Sequence, residues 1–163
     1  MSMRCILLML YAVILISTPV WGLEIDRVVV QKSKEKMFLV SQGERVREYE
    51  IILGWDPEGH KRRQGDGRTP EGIYILDYKK ADSSFYKAIH ISYPNEDDKA
   101  WARKHGLDPG GLIMIHGRKN GVSRAAREAR KYTWTNGCIE VTNKEMDEIW
   151  GLVETGTPIE IRP

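Results

Sequence analysis

The chain is poor in cysteine, in net charge and in long apolar runs, and each shortage excludes something. Of its 163 residues two are cysteine, Cys5 and Cys138. Cys5 sits within an apolar stretch near the start, so no internal disulfide is expected once that stretch is removed. Lys and Arg number 25 against 23 Asp and Glu, a net charge of +2. That near-balance argues against a dedicated nucleic-acid binder, so no nucleic-acid partner is expected. The apolar run Cys5 to Thr18 falls short of the roughly 17–25 residues a membrane-spanning helix needs. No internal repeat or low-complexity linker is visible. The glycine-rich segment around Gly65 and Gly67 lacks the Gly-Lys-Ser/Thr ending of a phosphate loop. His90, His105, His116 and Cys138 show none of the close spacings of a zinc site, so no metal and no cofactor is expected.

What is present begins with a three-part leader. Met1 to Arg4 is short and basic, Cys5 to Thr18 is almost wholly apolar, and Val20-Trp21-Gly22 offers permissive residues for cleavage. This is the pattern of a secretory signal peptide over residues 1–22, with an uncleaved anchor as the alternative. Export is therefore expected, with the membrane touched only through the leader. Residues 23–163 then form a single domain, large enough to bury roughly 68% of its unfolded surface.

Strands are expected over Glu24 to Gln31, Lys36 to Ser41, Arg47 to Leu53, Gly72 to Tyr78 and Lys87 to Ser92. Gly54 to Thr69 is polar and rich in glycine and reads as a loop. Asn95 to His105 reads as a helix capped by Asn95, with acids in its first turn. Leu112 to Ile115 is an apolar strand, and Val122 to Lys131 reads as a helical excursion. Thr142 and Glu145 form a capping-box pattern ahead of Met146, Ile149, Trp150 and Val153, an amphipathic helix. Pro158 to Ile161 is a last strand. The fold class is mainly β with peripheral helices.

The chemistry concentrates at Cys138, preceded by Gly137, and at His116, which ends an apolar strand and is followed by Gly117. A thiol attacks as thiolate and needs a neighbouring base or cation. His116 is expected to supply it as the imidazolium of a Cys–His ion pair. Gly137 allows positive φ or close approach of backbone just before the nucleophile. The amides of Gly137 and Cys138 are expected to face the carbonyl oxygen under attack. Thr135 is expected to hydrogen-bond within this turn and hold its shape. A lone cysteine is also a small buried hydrophobe, and a lone histidine a structural residue, so the residues alone leave both readings open.

Ile115-His116-Gly117, followed later by Thr135-Asn136-Gly137-Cys138-Ile139, resembles the signature of the L,D-transpeptidase catalytic domain (YkuD) family. Thr69-Pro70-Glu71-Gly72 resembles that family's Thr-Pro-x-Gly segment. The resemblance runs from about Arg27 to Pro163. It implies a β-sandwich in which Cys138 is the acylated nucleophile and His116 its base. Thr135, Asn136 and Gly137 would shape the oxyanion hole. In the family a backbone carbonyl commonly steadies the imidazole, so no acidic triad member is required. Gly137 to Asn143 resembles the branch whose motif runs Gly-Cys-Ile-x-Val-Thr-Asn; Glu140 stands where many members carry arginine or asparagine. The branch holds enzymes that make and enzymes that cleave links to murein. The implied partners are peptidoglycan stem peptides and a wall-attached protein, and the implied location is the periplasm.

Further residues complete the expected cleft. His90 lies within an apolar strand and is assigned to substrate binding, with a structural role as the alternative. Arg118 suits a substrate carboxylate by its planar, forked donors. Trp134 is expected as a cleft wall, with packing under the loop as the alternative. His60-Lys61-Arg62-Arg63 reads as a solvated loop, with contact to an anionic polymer as the alternative.

Overall fold

The computed structural model describes residues 23–122 and 135–163. The expected leader, the helical stretch from Ser123 to Lys131 and Trp134 lie outside those residues. The elements in chain order are β1 (Arg27–Gln31), β2 (Lys36–Ser41), β3 (Glu44–Glu50), β4 (Gly72–Ser83), β5 (Tyr86–Ile91), α1 (Glu96–Lys104), β6 (Met114–His116), β7 (Ile139–Glu140), α2 (Asn143–Leu152) and β8 (Pro158–Arg162). A mainly β domain with peripheral helices is thus observed, as expected.

Both helices start where local chemistry dictates. The Asn95 side chain accepts from the Asp98 amide at 3.0 Å, and the Asp98 carboxylate accepts from the Asn95 amide at 3.0 Å. Thr142 and Glu145 repeat the arrangement at α2, at 3.2 and 2.8 Å. Each box satisfies amides that the first helical turn leaves without partners.

Eight strands form one sheet in the order β3-β2-β1-β8-β4-β5-β6-β7. β1–β8 and β6–β7 are parallel and the other pairs antiparallel. β4 belongs to both halves: Gly72 to Ile75 pair with β8, and Leu76 to Ser83 pair with β5. The two outer edges then meet. Just beyond β3, the Ile52 amide donates to the Glu140 carbonyl and the Glu140 amide returns the bond, both at 2.9 Å. Gly54 bridges Thr135 in parallel, through bonds made by its neighbours Leu53 and Trp55. The expected sandwich is therefore one sheet folded over and closed along a seam.

Alternation along the strands places Val28, Val30, Met37, Leu39, Leu76, Ile89, Ile91, Ile115, Ile139, Ile159 and Ile161 in a single core between the halves. α2 adds Met146, Ile149 and Val153, with Trp150 packed partly against them. Each fully buried aliphatic side chain contributes about 1.5–3 kcal/mol. β2 is buried on both faces, since Val29, Phe38 and Val40 form a small outer cluster with the Arg45 guanidinium 4.1 Å from the Phe38 ring.

Candidate active site

β6 and β7 lie side by side with Ile115 opposite Ile139 and His116 opposite Glu140. Both isoleucines point into the core. Strand alternation turns the residues beside them, His116 and Cys138, to the opposite face. The two chemical groups thus share one face of two adjacent strands, although 21 positions separate them in sequence.

His116 is 4% exposed. Its Nδ1 donates to the Gly117 carbonyl at 2.6 Å, and the Phe85 ring tilts against the imidazole at 4.6 Å between centroids. A carbonyl only accepts, so the proton sits on Nδ1 and Nε2 keeps its lone pair. Burial pushes the imidazole below its usual value, against a smaller opposing pull from the Gly117 carbonyl. Burial also pushes the Cys138 thiol up, while the Met114 amide and the Lys61 ammonium pull it partly back. The thiol donates to the Leu112 carbonyl at 3.6 Å. Leu112 itself is held at φ +55°, a left-handed conformation that leucine seldom adopts. Both shifts favour the uncharged forms. Burial thus works against the expected ion pair and toward thiol and imidazole.

The turn Thr135-Asn136-Gly137-Cys138 is built as expected around Thr135. Its hydroxyl donates to the Cys138 carbonyl at 2.6 Å and accepts from the Gly137 amide at 3.0 Å. The Gly137 amide, expected to face substrate, is therefore engaged within the turn. Gly137 is buried at φ +118°, and a Cβ there would overlap the Arg68 carbonyl oxygen. Asn136 is exposed at the tip of the turn. The seam carries the whole turn, through the Thr135 amide donating to Leu53 and the Trp55 amide donating to Thr135, at 3.0 and 3.1 Å.

His90 lies on this same face: its cross-strand partner is Met114, two residues before His116. A bulge in β4 sets both Asp77 and Tyr78 against it. Its Nδ1 lies 2.7 Å from Asp77 Oδ1, and its ring stacks on Tyr78 at 4.5 Å. Arg118 is placed by its backbone, whose amide donates to Asn143 Oδ1 at 2.8 Å. Asn143 thereby ties the first turn of α2 to the segment after His116. The sequence showed Asn143 as a helix-start residue and as the last position of the branch motif, not as a tie to Arg118.

The segment read as a solvated loop is one only in part: Arg62 and Arg63 are exposed, His60 is partly buried and Lys61 is not solvated. Lys61 is buried, 3% exposed, with Nζ 2.8 Å from Asp66 Oδ1. Asp66 also accepts from the amides of Arg62, Arg63 and Arg68 at 2.8, 3.0 and 3.2 Å. Burial raises its carboxyl, but Lys61 and the three amides together outweigh that and hold it below the ordinary value. Lys32, likewise buried, donates to the carbonyls of Gly59 and Thr69 at 2.6 and 3.1 Å and to Glu71 at 2.8 Å. His60 bridges the Glu71 amide and Asp98, at 2.9 and 2.8 Å. The one signal available in the sequence was an acid flanked by glycines, Gly65-Asp66-Gly67.

Among the described residues no group of three or more His, Cys, Asp or Glu side chains is arranged to hold a metal ion. No helix among them is long and apolar enough to cross a membrane.

This architecture has known relatives. The Escherichia coli (strain K12) protein YafK, itself provisionally named an L,D-transpeptidase, is 38% identical over 97 residues, covering 58% of this chain and 32% of that protein. The helical cell shape determining protein Pgp2 from Campylobacter jejuni, solved as a mutant, superposes with TM-score 0.63 at 25% identity, covering 84% of this chain and 46% of Pgp2. A mutant Enterococcus faecium L,D-transpeptidase gives TM-score 0.55 at 17% identity, over 85% of this chain and 50% of its own, and shares the fold. The chain thus spans about a third of the curated relatives' length and about half of these solved chains. Residues 25–161 match the family described as the L,D-transpeptidase catalytic domain (YkuD). With that match running from ahead of β1 into β8, and with the strand-end histidine and the Gly-Cys turn on one face, this chain belongs to the L,D-transpeptidase catalytic domain family.

Proposed function

We propose that the protein is an exported cysteine L,D-transpeptidase, acting on peptidoglycan stem peptides through a thioester acyl-enzyme. The observation that carries this reading is the pairing on one sheet face of a half-buried Cys138 with a buried His116 whose Nδ1 is committed to a backbone carbonyl. That commitment leaves Nε2 as a base.

Cys138 Sγ attacks the carbonyl of the third stem residue, a diamino acid, as its proton passes to His116 Nε2. Starting from neutral partners, the charge separates only as the sulfur bonds to carbon. The Cys138 amide is assigned to the oxyanion, because the Gly137 amide is held by Thr135. The tetrahedral adduct collapses, and His116 returns the proton to the departing D-alanine amine. The amine of a second stem then attacks the thioester and forms a 3→3 crosslink. Water in its place gives carboxypeptidase activity, and a link to a wall-attached protein as donor gives amidase activity. Asn136, Arg118 and His90 are assigned to the substrate cleft, with Trp134 as a wall. The periplasm is the proposed location and residues 1–22 the proposed leader.

The test is mass spectrometry of purified disaccharide-tetrapeptide incubated with the protein, with Cys138→Ala as control. A Cys138-dependent dimer linked 3→3, with D-alanine released, is expected. A tripeptide alone replaces the transferase with a carboxypeptidase. Turnover unaltered in Cys138→Ala refutes the nucleophile.

A further inference from the structure

The face that carries Cys138 and His116 continues across the sheet to Asp77, Tyr78 and His90. With Ile115 level with Ile139 in β6 and β7, Cys138 stands level with Met114. Met114 is in turn the cross-strand partner of His90. Ile89 and Ile91 turn into the core on either side of His90, so its ring faces outward with the cysteine. Cys138, Met114 and His90 thus form one row over three strands, and two strand spacings set His90 about 10 Å from Cys138.

The β4 bulge adds a carboxylate and a ring at the far end of that row. His90 Nδ1 donates to Asp77 Oδ1 at 2.7 Å, and the Tyr78 ring stacks on the imidazole at 4.5 Å and 14° from parallel. The Asp77 side chain and Tyr78 are both 40% exposed. Among the described residues Asp77 Oδ2 has no partner, and no lysine or arginine pairs with this carboxylate. The lysines of β4 and β5 are committed elsewhere: Lys79 to the Trp150 carbonyl, Lys80 to Asp82 and Lys87 to Asp147. Asp77 is therefore a fixed negative charge beside an open aromatic face, with no cation of its own.

We propose that Asp77, Tyr78 and His90 form a cation subsite that takes the free second amine of the donor stem's diamino acid. The inference rests on the stem-peptide reading. Asp77 Oδ2 accepts a charge-assisted bond from the ammonium, the open face of Tyr78 adds a cation–π contact, and His90 fixes the carboxylate. The attacking amine of the acceptor must reach the thioester itself, so it is not the amine held a row away. The one held is the donor's own, at the far end of the side chain whose carbonyl is under attack. A stem whose second amine is already acylated in a crosslink carries no charge there and is disfavoured as donor.

The test is calorimetric titration of the full chain carrying Cys138→Ala with two disaccharide-tetrapeptides, identical but for acetylation of the free diamino-acid amine. Thermal melts run alongside. Acetylation is expected to weaken binding about tenfold. Asp77→Asn still accepts from His90, and is expected to erase that difference while binding the acetylated peptide as before. Tyr78→Leu is expected to narrow the difference, and it carries the test should Asp77→Asn unfold. Equal binding of the two peptides, or a difference that survives in the folded variants, overturns the inference and leaves the stem-peptide reading standing. A merely structural Asp77–His90 pair would lower the melt and weaken both peptides alike, which also overturns it. Binding of neither peptide overturns the stem-peptide reading and the inference with it.

Discussion

Three glycines separate the two costs of building the Cys138 turn. Gly43, in the β2–β3 hairpin, has φ +82° and open space where a Cβ would go. Gly54 has no left-handed torsion, but a Cβ there would run into the Gly67 carbonyl. Gly137 combines φ +118° with collision against the Arg68 carbonyl. Alanine at Gly43 pays only for the torsion, about 1–2 kcal/mol. Alanine at Gly54 meets backbone that no rotamer change can move aside, about 1–3 kcal/mol. Alanine at Gly137 carries both, about 2–5 kcal/mol if they add. At roughly 2–4 °C per kcal/mol for a domain of this size, Gly137→Ala should lower the melting temperature by roughly 5–20 °C. Gly43→Ala, which carries the torsion alone, should lower it by less. The assay is a thermal melt of the three variants, with Cys138 alkylation at fixed pH on the same samples. Gly54→Ala and Gly137→Ala should both slow alkylation, because the seat of the turn shifts; Gly43→Ala should leave it alone. If Gly137→Ala melts and alkylates like Gly43→Ala, the carbonyl seat is not what holds Cys138.

Thr135→Val deletes the donor to the Cys138 carbonyl and leaves the Gly137 amide without its acceptor, a loss of about 1–3 kcal/mol. Turnover should fall with it, and Thr135→Ser should restore both; equal turnover in Val and Ser variants would show the hydroxyl to be idle. Stability should also depend on pH at both ends of the neutral range. His116 titrates below its usual 6.5 in the fold, so the unfolded chain binds more protons there, and this contribution is lost as pH falls below 6.5. Cys138 titrates above its usual 9.0, so its contribution is lost as pH rises past 9.0. Denaturant midpoints measured from pH 5 to 10 should flatten at the acid end in His116→Gln and at the alkaline end in Cys138→Ser. Unchanged profiles would refute the neutral resting pair.

Much of this was legible in the sequence wherever the cause is local. The capping boxes at Asn95 and Thr142 depend on residues three apart, and both appear as read. β2 was bounded correctly because Lys36 and Ser41 bracket an apolar run beside a Gln42–Gly43 turn. β4 ran past its expected end at Tyr78, because the polar stretch to Ser83 is a strand only by pairing with β5. The two residues of β7 were no strand by pattern, since their partners lie at positions 52, 115 and 116. Cys138 and His116 were found by residue type and motif, but their common face comes from a parallel pairing that spacing does not encode. Lys61 was misread, and Asp66 passed over, for the same reason. Two opposite charges in a polar run look solvated until the fold buries them against each other.

The position of β8 has a consequence for timing. It comes last in chain order, yet it stands between β1 and β4 and is the strand that joins the two halves of the sheet. The other junction, the seam at Ile52 and Gly54, also waits for residues 135 to 140. While the chain is emerging, its first hundred residues have neither connection, so the early strands cannot close around the core. The Cys138 turn is thereby assembled in the same step as the completed domain. An unfinished or C-terminally clipped chain would have a thiol without the seat of its turn and without His116 beside it.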